Sequence, residues 1–225
     1  MEILSLIEQF QFNFLDDSRW QFIVSGLKNT IIITFFAVLL GIFLGFVIAI
    51  VRSTHDKTGK LKILNVICRV YLTVIRGTPT MVQLLIVYYV IFATVDPGKI
   101  VVAIIAFGMK IVRSGIMSID QGQFEAGRSL GLNYTQTMTK IILPQAVKNI
   151  LPALGNELIV LLKETSISGY IGLMDLTRGG DIIRSQTYSA LFPLLAVAAI
   201  YLIIVCFLTY LVGRLERRLR TNERK

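Results

Sequence analysis

The segment from Ile31 to Val51 reads IIITFFAVLLGIFLGFVIAIV and contains no charged residue. A helix of roughly 20 apolar residues crosses the hydrocarbon core of a bilayer, so this segment predicts a membrane span. Gly41 and Gly45 are four residues apart and therefore lie on one face of that helix. Small residues at this spacing let a second helix approach closely. The segment thus predicts one helix of a packed membrane bundle.

The composition extends this prediction to the whole chain of 225 residues. Hydrophobic residues make up 54% and charged residues 16%, whereas soluble domains contain about 25% charged residues. The apolar runs are continuous, and a membrane β-barrel would instead show alternating segments of about 10 residues. We therefore predict an all-α membrane protein with about five transmembrane helices. The expected spans are 31–51, 63–95, 100–119, 146–174 and 189–212.

The second span is interrupted in its middle by the sequence Arg76-Gly77-Thr78-Pro79 and then by Gln83. Proline removes an amide donor and clashes with the preceding turn, so a bend or a helix boundary is expected there. The apolar run that follows ends at Asp96-Pro97-Gly98, a sequence typical of a turn.

The third span is short. Its clean apolar run extends only from Ile100 to Met109 and would rise about 15 Å as a helix, which is half of a bilayer core. Extension to Ile119 places Lys110 and Arg113 inside the span. Each of these charges costs several kcal/mol there unless it reaches the interface or a wet cavity.

The basic residues lie beside the predicted spans, which explains the net charge of +9 without nucleic acid. They are concentrated in the loop 52–62 and in a tail after the last span. The positive-inside rule places both in the cytoplasm and the N-terminus outside. We expect an extracytoplasmic segment 1–22, a transmembrane domain 23–213 and a basic cytoplasmic tail 214–225.

Enzymatic chemistry finds no support in the sequence. It lacks a Gly-rich phosphate loop and a nucleophile paired with a general base. Cys68, Cys206 and His55 have no neighbours at metal-ligand spacing. Both cysteines are expected to pack in the core and His55 to lie in a solvated loop. We therefore predict no catalytic residue, no metal site and no cofactor.

A polar stretch, Gln121–Pro144, separates the third and fourth spans and reads QGQFEAGRSLGLNYTQTMTKIILP. Small and apolar residues recur from Phe124 to Leu132 at helical spacing, which predicts a short helix. Gly131, followed by Asn133, is a plausible end for it. The residues alone allow two interpretations, a helix that docks on a partner or an amphipathic connector on the lipid headgroups.

Several short motifs in the chain resemble the permease subunits of bacterial ATP-binding cassette importers. Glu125-Ala126-Gly127, followed by Gly131 and by Ile141-Ile142-Leu143-Pro144, resembles the Glu-Ala-Ala motif of that family. Further segments resemble its polar amino acid uptake branch, and the similarity covers about residues 20–215. They are Arg76-Gly77-Thr78-Pro79 with Gln83, Arg113-Ser114-Gly115-Ile116, Gly122-Gln123, Leu143-Pro144-Gln145-Ala146 and Lys163-Glu164-Thr165-Ser166.

The resemblance implies an ABC type I importer permease fold in the bacterial inner membrane, with a cytoplasmic coupling helix. It implies a second permease subunit, an ATPase subunit that hydrolyses ATP, an extracytoplasmic solute-binding protein, an amino acid substrate and surrounding lipid. Glu125, Ala126, Gly127 and Gly131 would form the ATPase-coupling site. Gly127 stands where the family usually has alanine, and glycine costs about 1 kcal/mol of helix stability relative to alanine.

Three polar residues in the spans are candidates for substrate binding: Glu157, Gln83 and Thr165. A carboxylate facing an inner cavity pairs with a cationic side chain or an α-amino group, so Glu157 favours a polar, and specifically a cationic, amino acid. The alternative for Glu157 is an internal pair with Lys163 or Arg76. Buried amides and hydroxyls such as Gln83 and Thr165 often satisfy neighbouring backbone instead. Lys163 and Glu164 are expected to pair with each other.

The third span departs from the family pattern. Relatives carry a stretch resembling Asn-Ser-Gly-Ala-Tyr-x-Ala-Glu before the Arg-Ser-Gly-Ile run, whereas here Met109-Lys110 leads directly to Ile111-Val112-Arg113. About eight residues are therefore expected to be missing, which indicates an altered permease or a helix that tilts and thins the bilayer. Two rival functions remain: a secondary transporter or channel subunit that uses Glu157, Arg76 and Lys163 for ion coupling, and a non-transporting membrane scaffold, which the shortened third span suggests.

Overall fold

The computed structural model describes residues 6–110 and 122–221, and the regular structure in these two ranges is entirely helical. This confirms the all-α fold class. The α-helices are α1 (Leu6–Phe10), α2 (Trp20–Thr58), α3 (Lys62–Gly77), α4 (Thr80–Ile86), α5 (Lys99–Gly108), α6 (Gly122–Ser129), α7 (Tyr134–Thr137), α8 (Leu143–Glu164), α9 (Leu176–Thr187) and α10 (Leu191–Thr221). π-helical segments span Gln11–Leu15, Val87–Ile91 and Met138–Ile142, and 3-10 segments span Asp16–Ser18 and Thr165–Ile171.

Helices α2 and α10 are each long and apolar enough to cross a membrane alone. The predicted first span lies inside α2, but the predicted loop 52–62 was wrong in its first half because α2 continues to Thr58. The helix ends only where Gly59 adopts a left-handed backbone with φ 66°. The Gly59 N–H donates to the His55 carbonyl at 2.8 Å, so His55 lies in the last turn of α2 rather than in a loop.

The expected bend in the second span is present. Helix α3 ends at Gly77, Thr78 and Pro79 are extended, and the continuous helix Thr80–Ile91 leaves at 115° to α3. If this bent pair is one span, the described residues contain three spans by length and hydropathy. The full count of five stays a prediction.

Helix α5 is short, as the sequence predicts, and has 10 residues. The extension of this span to Ile119 lies outside the described residues. Two contacts hold the end of α5: the Tyr71 hydroxyl on α3 donates to the Met109 carbonyl at 2.7 Å, and Lys110 pairs with Glu164 at the end of α8. The C-terminal end of α5 is therefore fixed by side chains from two other helices.

The main hydrophobic core lies where α2 packs on α5, α4 and α8. Ile33 and Ala37 on α2, Leu84 on α4 and Phe107 on α5 are completely buried in it. Close helix contact is needed at Gly108, because a Cβ atom there would lie 2.8 Å from Leu40 of α2. The core therefore anchors α5 despite its length.

A second junction joins α2 to the start of α9. Asp175 is completely buried, and its carboxylate accepts hydrogen bonds from the backbone N–H groups of Thr177 at 2.9 Å and Arg178 at 3.4 Å, which caps α9. From α2, Asn29 Nδ2 donates to the Met174 carbonyl at 2.8 Å, and Thr30 Oγ1 accepts from the Leu176 N–H at 3.1 Å. These bonds fix α9 against α2.

Asp175, which lies outside the apolar spanning helices, gives this junction a pH dependence. Burial raises the pKa of its carboxyl from 3.8 to about 6, although the hydrogen bonds from Thr177 and Arg178 act in the opposite direction. The folded protein thus holds this proton more tightly than the unfolded chain. The resulting stabilisation is present below pH 3.8 and is lost as the pH rises through about 6.

We therefore expect the substitution Asp175→Asn to change how stability depends on pH. Asparagine still caps a helix but does not titrate, so the variant keeps the bonds and avoids the burial of a charge. The difference in melting temperature, variant minus wild type, should grow between pH 4 and pH 7, and the full pKa difference corresponds to roughly 3 kcal/mol. Thermal unfolding in detergent measures this, and a constant difference across the range would contradict the assignment.

Candidate functional site: the α6–α7 hairpin and the α5–α8 junction

The polar stretch folds into a helical hairpin of α6 and α7. Gly131 ends α6 with a left-handed backbone at φ 75°, as the sequence predicts for the stop residue. The Gly131 N–H donates to the Arg128 carbonyl at 2.9 Å and the Leu132 N–H to the Gly127 carbonyl at 3.0 Å, which satisfies the end of the helix. A Cβ atom at Gly131 would meet nothing within 4 Å, so its backbone conformation is what requires glycine.

The second half of the hairpin is joined to the membrane part of the chain. Asn133 caps α7 in a reciprocal capping box with Gln136, with bonds of 2.8 and 3.0 Å. Helix α7 then continues through the π-helical segment Met138–Ile142 into α8. Gln145 of α8 also donates to Gln123 of α6 at 3.2 Å. Helix α6 is therefore connected to α8 both along the chain and by this hydrogen bond.

The two glycines of the predicted coupling site have different surroundings. Glu125, Ala126 and Gly131 are exposed, whereas Gly127 is buried against Thr137 of the same hairpin. A Cβ atom at Gly127 would lie 2.5 Å from Thr137 Cγ2 and 2.7 Å from Thr137 Oγ1. The glycine therefore does more than weaken the helix, because it allows α6 to pack closely on α7.

We expect Gly127→Ala to loosen this hairpin although alanine favours helix. Overpacking costs about 1–3 kcal/mol and outweighs a propensity gain of about 1 kcal/mol. The double variant Gly127→Ala/Thr137→Ala should recover the loss, because Thr137 Oγ1 is buried and has no hydrogen-bond partner among the described residues. Hydrogen exchange of the α6 amides measures the loss in the single variant and its recovery in the double variant. Additive effects of the two substitutions would contradict this packing.

The structure places Glu157 on α8, partly exposed, without a hydrogen bond or ion pair to any described residue. The alternative of an internal pair with Lys163 or Arg76 is therefore not seen in the part of the chain that is described. Glu157 and Glu164 are seven residues apart on α8, so they lie on nearly the same face, about 10 Å apart along the axis. A role for Glu157 in substrate binding stays a prediction.

The other two candidate residues form local hydrogen bonds. Gln83 Nε2 donates to the Ile75 carbonyl at 2.7 Å and to the carbonyl and hydroxyl oxygens of Thr78 at 2.9 and 2.8 Å, which holds the bend between α3 and α4. Its Oε1 is buried without a partner in the described ranges. Thr165 is completely buried, and its hydroxyl donates to the Leu162 carbonyl at 2.7 Å. Both contribute to helix junctions, and their contact with substrate stays a prediction.

The expected pair of Lys163 and Glu164 was wrong. Glu164 pairs with Lys110, which is 54 residues away in the chain, and Lys163 is exposed. Neighbours in a helix point about 100° apart, so Lys163 and Glu164 do not share a face. The Lys110–Glu164 contact joins the end of α5 to the end of α8 and pairs a charge that the sequence left unexplained.

Two residues at these sites, Leu130 and Thr137, were not singled out by their sequence pattern, and Lys110 was noted only as a costly charge without a partner. Leu130 is 74% exposed at the end of α6 and enlarges the apolar part of its outer surface. Thr137 and Lys110 matter through contacts made by folding, with Gly127 and Glu164 respectively. Of the three residues, only Lys110 could have been recognised from the sequence, because a charged side chain inside a membrane span is expected to have a partner.

The structure is all-helical with a polar hairpin between apolar helices, and comparison with known proteins assigns its family. Residues 37–221 match the model of the binding-protein-dependent transport system inner membrane component. The chain belongs to this family, and it is a permease of the ATP-binding cassette importer type.

Individual relatives cover nearly the whole chain. The arginine transport system permease protein ArtQ of Bacillus subtilis is 37% identical over 211 residues, which is 90% of this chain and 94% of ArtQ. The glutamine transport system permease protein GlnP of Escherichia coli is 36% identical over 208 residues, 88% of this chain and 93% of GlnP. A crystal structure of an amino acid ABC transporter with histidines superposes with a TM-score of 0.80 at 36% identity, covering 97% of this chain and 99% of that one.

These comparisons bear on the short third span. The superposition covers the chain almost completely, so the overall arrangement of a permease is retained. They do not favour a secondary transporter, a channel or a scaffold.

Proposed function

We propose that the chain is the membrane subunit of an ATP-driven importer of polar amino acids and that it hydrolyses no ATP itself. The observation that carries this proposal is the exposed α6 surface on a hairpin continuous with α8. Relatives named as arginine and glutamine permeases support an amino acid as substrate. The further subunits are an ATPase, a second permease subunit, identical or related, and an extracytoplasmic solute-binding protein.

In this proposal α6 docks in a cleft of the ATPase. Glu125 and Ala126 supply a charge and a small exposed surface, Leu130 supplies an apolar anchor, and Gly131 lets the chain leave the cleft sharply. Gly127 supports the same site from its inner side through Thr137. When the two ATPase subunits close, the two coupling helices move together and α8 turns the pathway outward to receive the substrate.

The proposed orientation is supported by charge. The basic residues at the ends of α2 and α10 favour a cytoplasmic location for these ends and for α6, with the N-terminus outside. The protein then lies in the inner membrane with several spans in contact with lipid. The segment 1–22, the membrane domain 23–213 and the basic tail 214–225 remain the proposed division of the chain.

The substrate is proposed to be cationic because Glu157 is partly exposed and lacks a partner among the described residues. We expect Glu157→Gln to weaken binding of arginine and lysine to the permease–ATPase complex by about tenfold, since a charge-assisted hydrogen bond contributes about 1.5–3 kcal/mol. Binding of L-glutamine serves as the control and should be unchanged. Unchanged affinity for arginine and lysine would remove the reason to prefer cations.

Isolation of the chain from native membranes tests the assembly. The proposal predicts a complex that contains an ATPase and two permease subunits and that hydrolyses ATP faster when the loaded solute-binding protein is added. Recovery of the chain with no ATPase would contradict the proposal. An ATPase partner without stimulated turnover would favour the scaffold function.

A further inference from the structure

The Lys110–Glu164 contact lies near the middle of the membrane. Lys99 begins α5 directly after the polar turn Asp96-Pro97-Gly98. Lys110 follows 11 residues later, a rise of about 16 Å, which is half of the ~30 Å core. Lys110 thus brings Glu164, at the end of α8, to the same depth.

An ion pair at this depth is costly for stability alone. Removing two charges from water costs several kcal/mol each, and replacement of a buried pair by apolar residues is often neutral or stabilising. Both side chains nevertheless keep 28% of their surface accessible in the single chain, so the pair lies at the edge of the helical packing rather than in the core. A charged pair that is both expensive and accessible is typical of a site on a transport pathway.

The pair also keeps unused hydrogen-bonding capacity. Glu164 Oε2 is buried and has no hydrogen-bond partner among the described residues, whereas Oε1 accepts from Lys110. The Lys110 ammonium has three N–H donors, and among the described residues its one partner is Glu164. Glu164 can therefore accept from one further cationic group and Lys110 can donate to one further anionic group. A ligand that carries both groups fits the pair better than a ligand that carries only one.

We propose that Lys110 and Glu164 bind the α-carboxylate and the α-ammonium group of the transported amino acid, an inference that rests on the function proposed above. The pair opens to admit the zwitterion: Glu164 takes the α-ammonium and Lys110 takes the α-carboxylate. One ion pair is exchanged for two, and all four charges stay paired. A ligand with only one of the two groups leaves a charge unpaired inside the membrane, which the site therefore rejects.

The geometry of α8 also orients the substrate side chain. Glu157 lies two turns from Glu164 on nearly the same face of α8. The extended side chain of arginine or lysine, held at its α-groups by Lys110 and Glu164, runs along this face toward Glu157. The Lys110–Glu164 pair then recognises the α-groups of any α-amino acid, and Glu157 selects among side chains.

Ligand binding to the purified permease–ATPase complex in nanodiscs, without the solute-binding protein, tests this inference. The probes are radiolabelled L-arginine and agmatine, which lacks the α-carboxylate, with L-glutamine as a second amino acid. The wild-type complex should prefer L-arginine to agmatine by about tenfold or more. Lys110→Met should abolish that preference, and Glu164→Gln should weaken L-arginine and L-glutamine binding by about tenfold.

Two controls separate this site from a merely structural ion pair. Lys110→Arg keeps the charge and should keep the preference for L-arginine over agmatine. If Lys110→Met fails to fold, the double variant Lys110→Glu/Glu164→Lys retains an ion pair between α5 and α8. It should fold but lose about tenfold in L-arginine affinity, because the α-ammonium and α-carboxylate can then pair only in the reversed orientation, which directs the substrate side chain away from Glu157.

Retention of the full preference in Lys110→Met, or of full affinity in the charge-swapped variant, would overturn the inference. Failure of the wild-type complex to bind either amino acid would also overturn it. The broader function is judged separately, by ATP-dependent uptake with the binding protein present. If uptake persists but the preference for L-arginine over agmatine does not depend on Lys110, only the role of the Lys110–Glu164 pair is refuted.

Discussion

Charge reversal at Glu125 is expected to reduce ATP-dependent uptake at least tenfold without unfolding the protein. Glu125 is exposed in the first turn of α6, and its carboxylate has no hydrogen-bond or ion-pair partner among the described residues, while its backbone carbonyl accepts from the Ser129 hydroxyl at 3.0 Å. Lysine there costs only a few tenths of a kcal/mol through the helix dipole. A docked carboxylate is different, because reversing a charge inside an interface costs several kcal/mol. Uptake, complex formation and melting temperature should be measured together.

Asp56→Lys provides the matched control for Glu125→Lys. Asp56 is exposed near the C-terminal end of α2, and its contact with His55, at 3.2 Å, is a surface pair that contributes little. The two variants carry the same charge change on the same predicted side of the membrane. Equal uptake in both variants would show that α6 has no special role in coupling.

The substitution Gly26→Ala should have the largest effect on stability. An added Cβ atom would lie 2.4 Å from the Asp175 carbonyl oxygen, 2.7 Å from its carbonyl carbon and 2.9 Å from Leu176 Cα. These are backbone atoms held by Asn29 and Thr30, so they cannot rotate away as a side chain would. We expect a loss of about 3 kcal/mol from overpacking. Thermal unfolding in detergent measures the loss.

The neighbouring Ser25→Ala tests whether the effect comes from the contact. Ser25 is exposed on the same turn of α2, and the substitution adds no atom toward α9. Its melting temperature should match the wild type within experimental error. A Gly26→Ala variant as stable as Ser25→Ala would mean that α2 and α9 are not packed as described.

Local features of the chain were predictable from its sequence. The apolar run 31–51 fixes a helix, Pro79 fixes the bend after α3, and Gly131 fixes the end of α6. Each depends on residues within one or two turns, where proline and glycine restrict or free the backbone directly. The length of α2 was underestimated because charged residues were taken as the end of the helix, whereas the helix continues to the first glycine after them.

The contacts that shape the candidate sites were not predictable because they join distant parts of the chain. Gly127 has a partner in Thr137 across a turn, and Lys110 has one in Glu164 on another helix. A sequence pattern reports the face on which a residue lies, but the residue opposite it depends on how the helices pack. This is why Gly127 appeared as a weakened helix position and Lys110 as a charge without a partner.

The most direct test of the account is amino acid uptake into proteoliposomes that contain the chain, its ATPase partner and the loaded solute-binding protein. If the chain is the permease of an ATP-driven importer, uptake of L-arginine or L-glutamine requires ATP and is lost in Glu125→Lys. Uptake driven by an ion gradient alone, without the ATPase, would contradict the account and favour a secondary transporter.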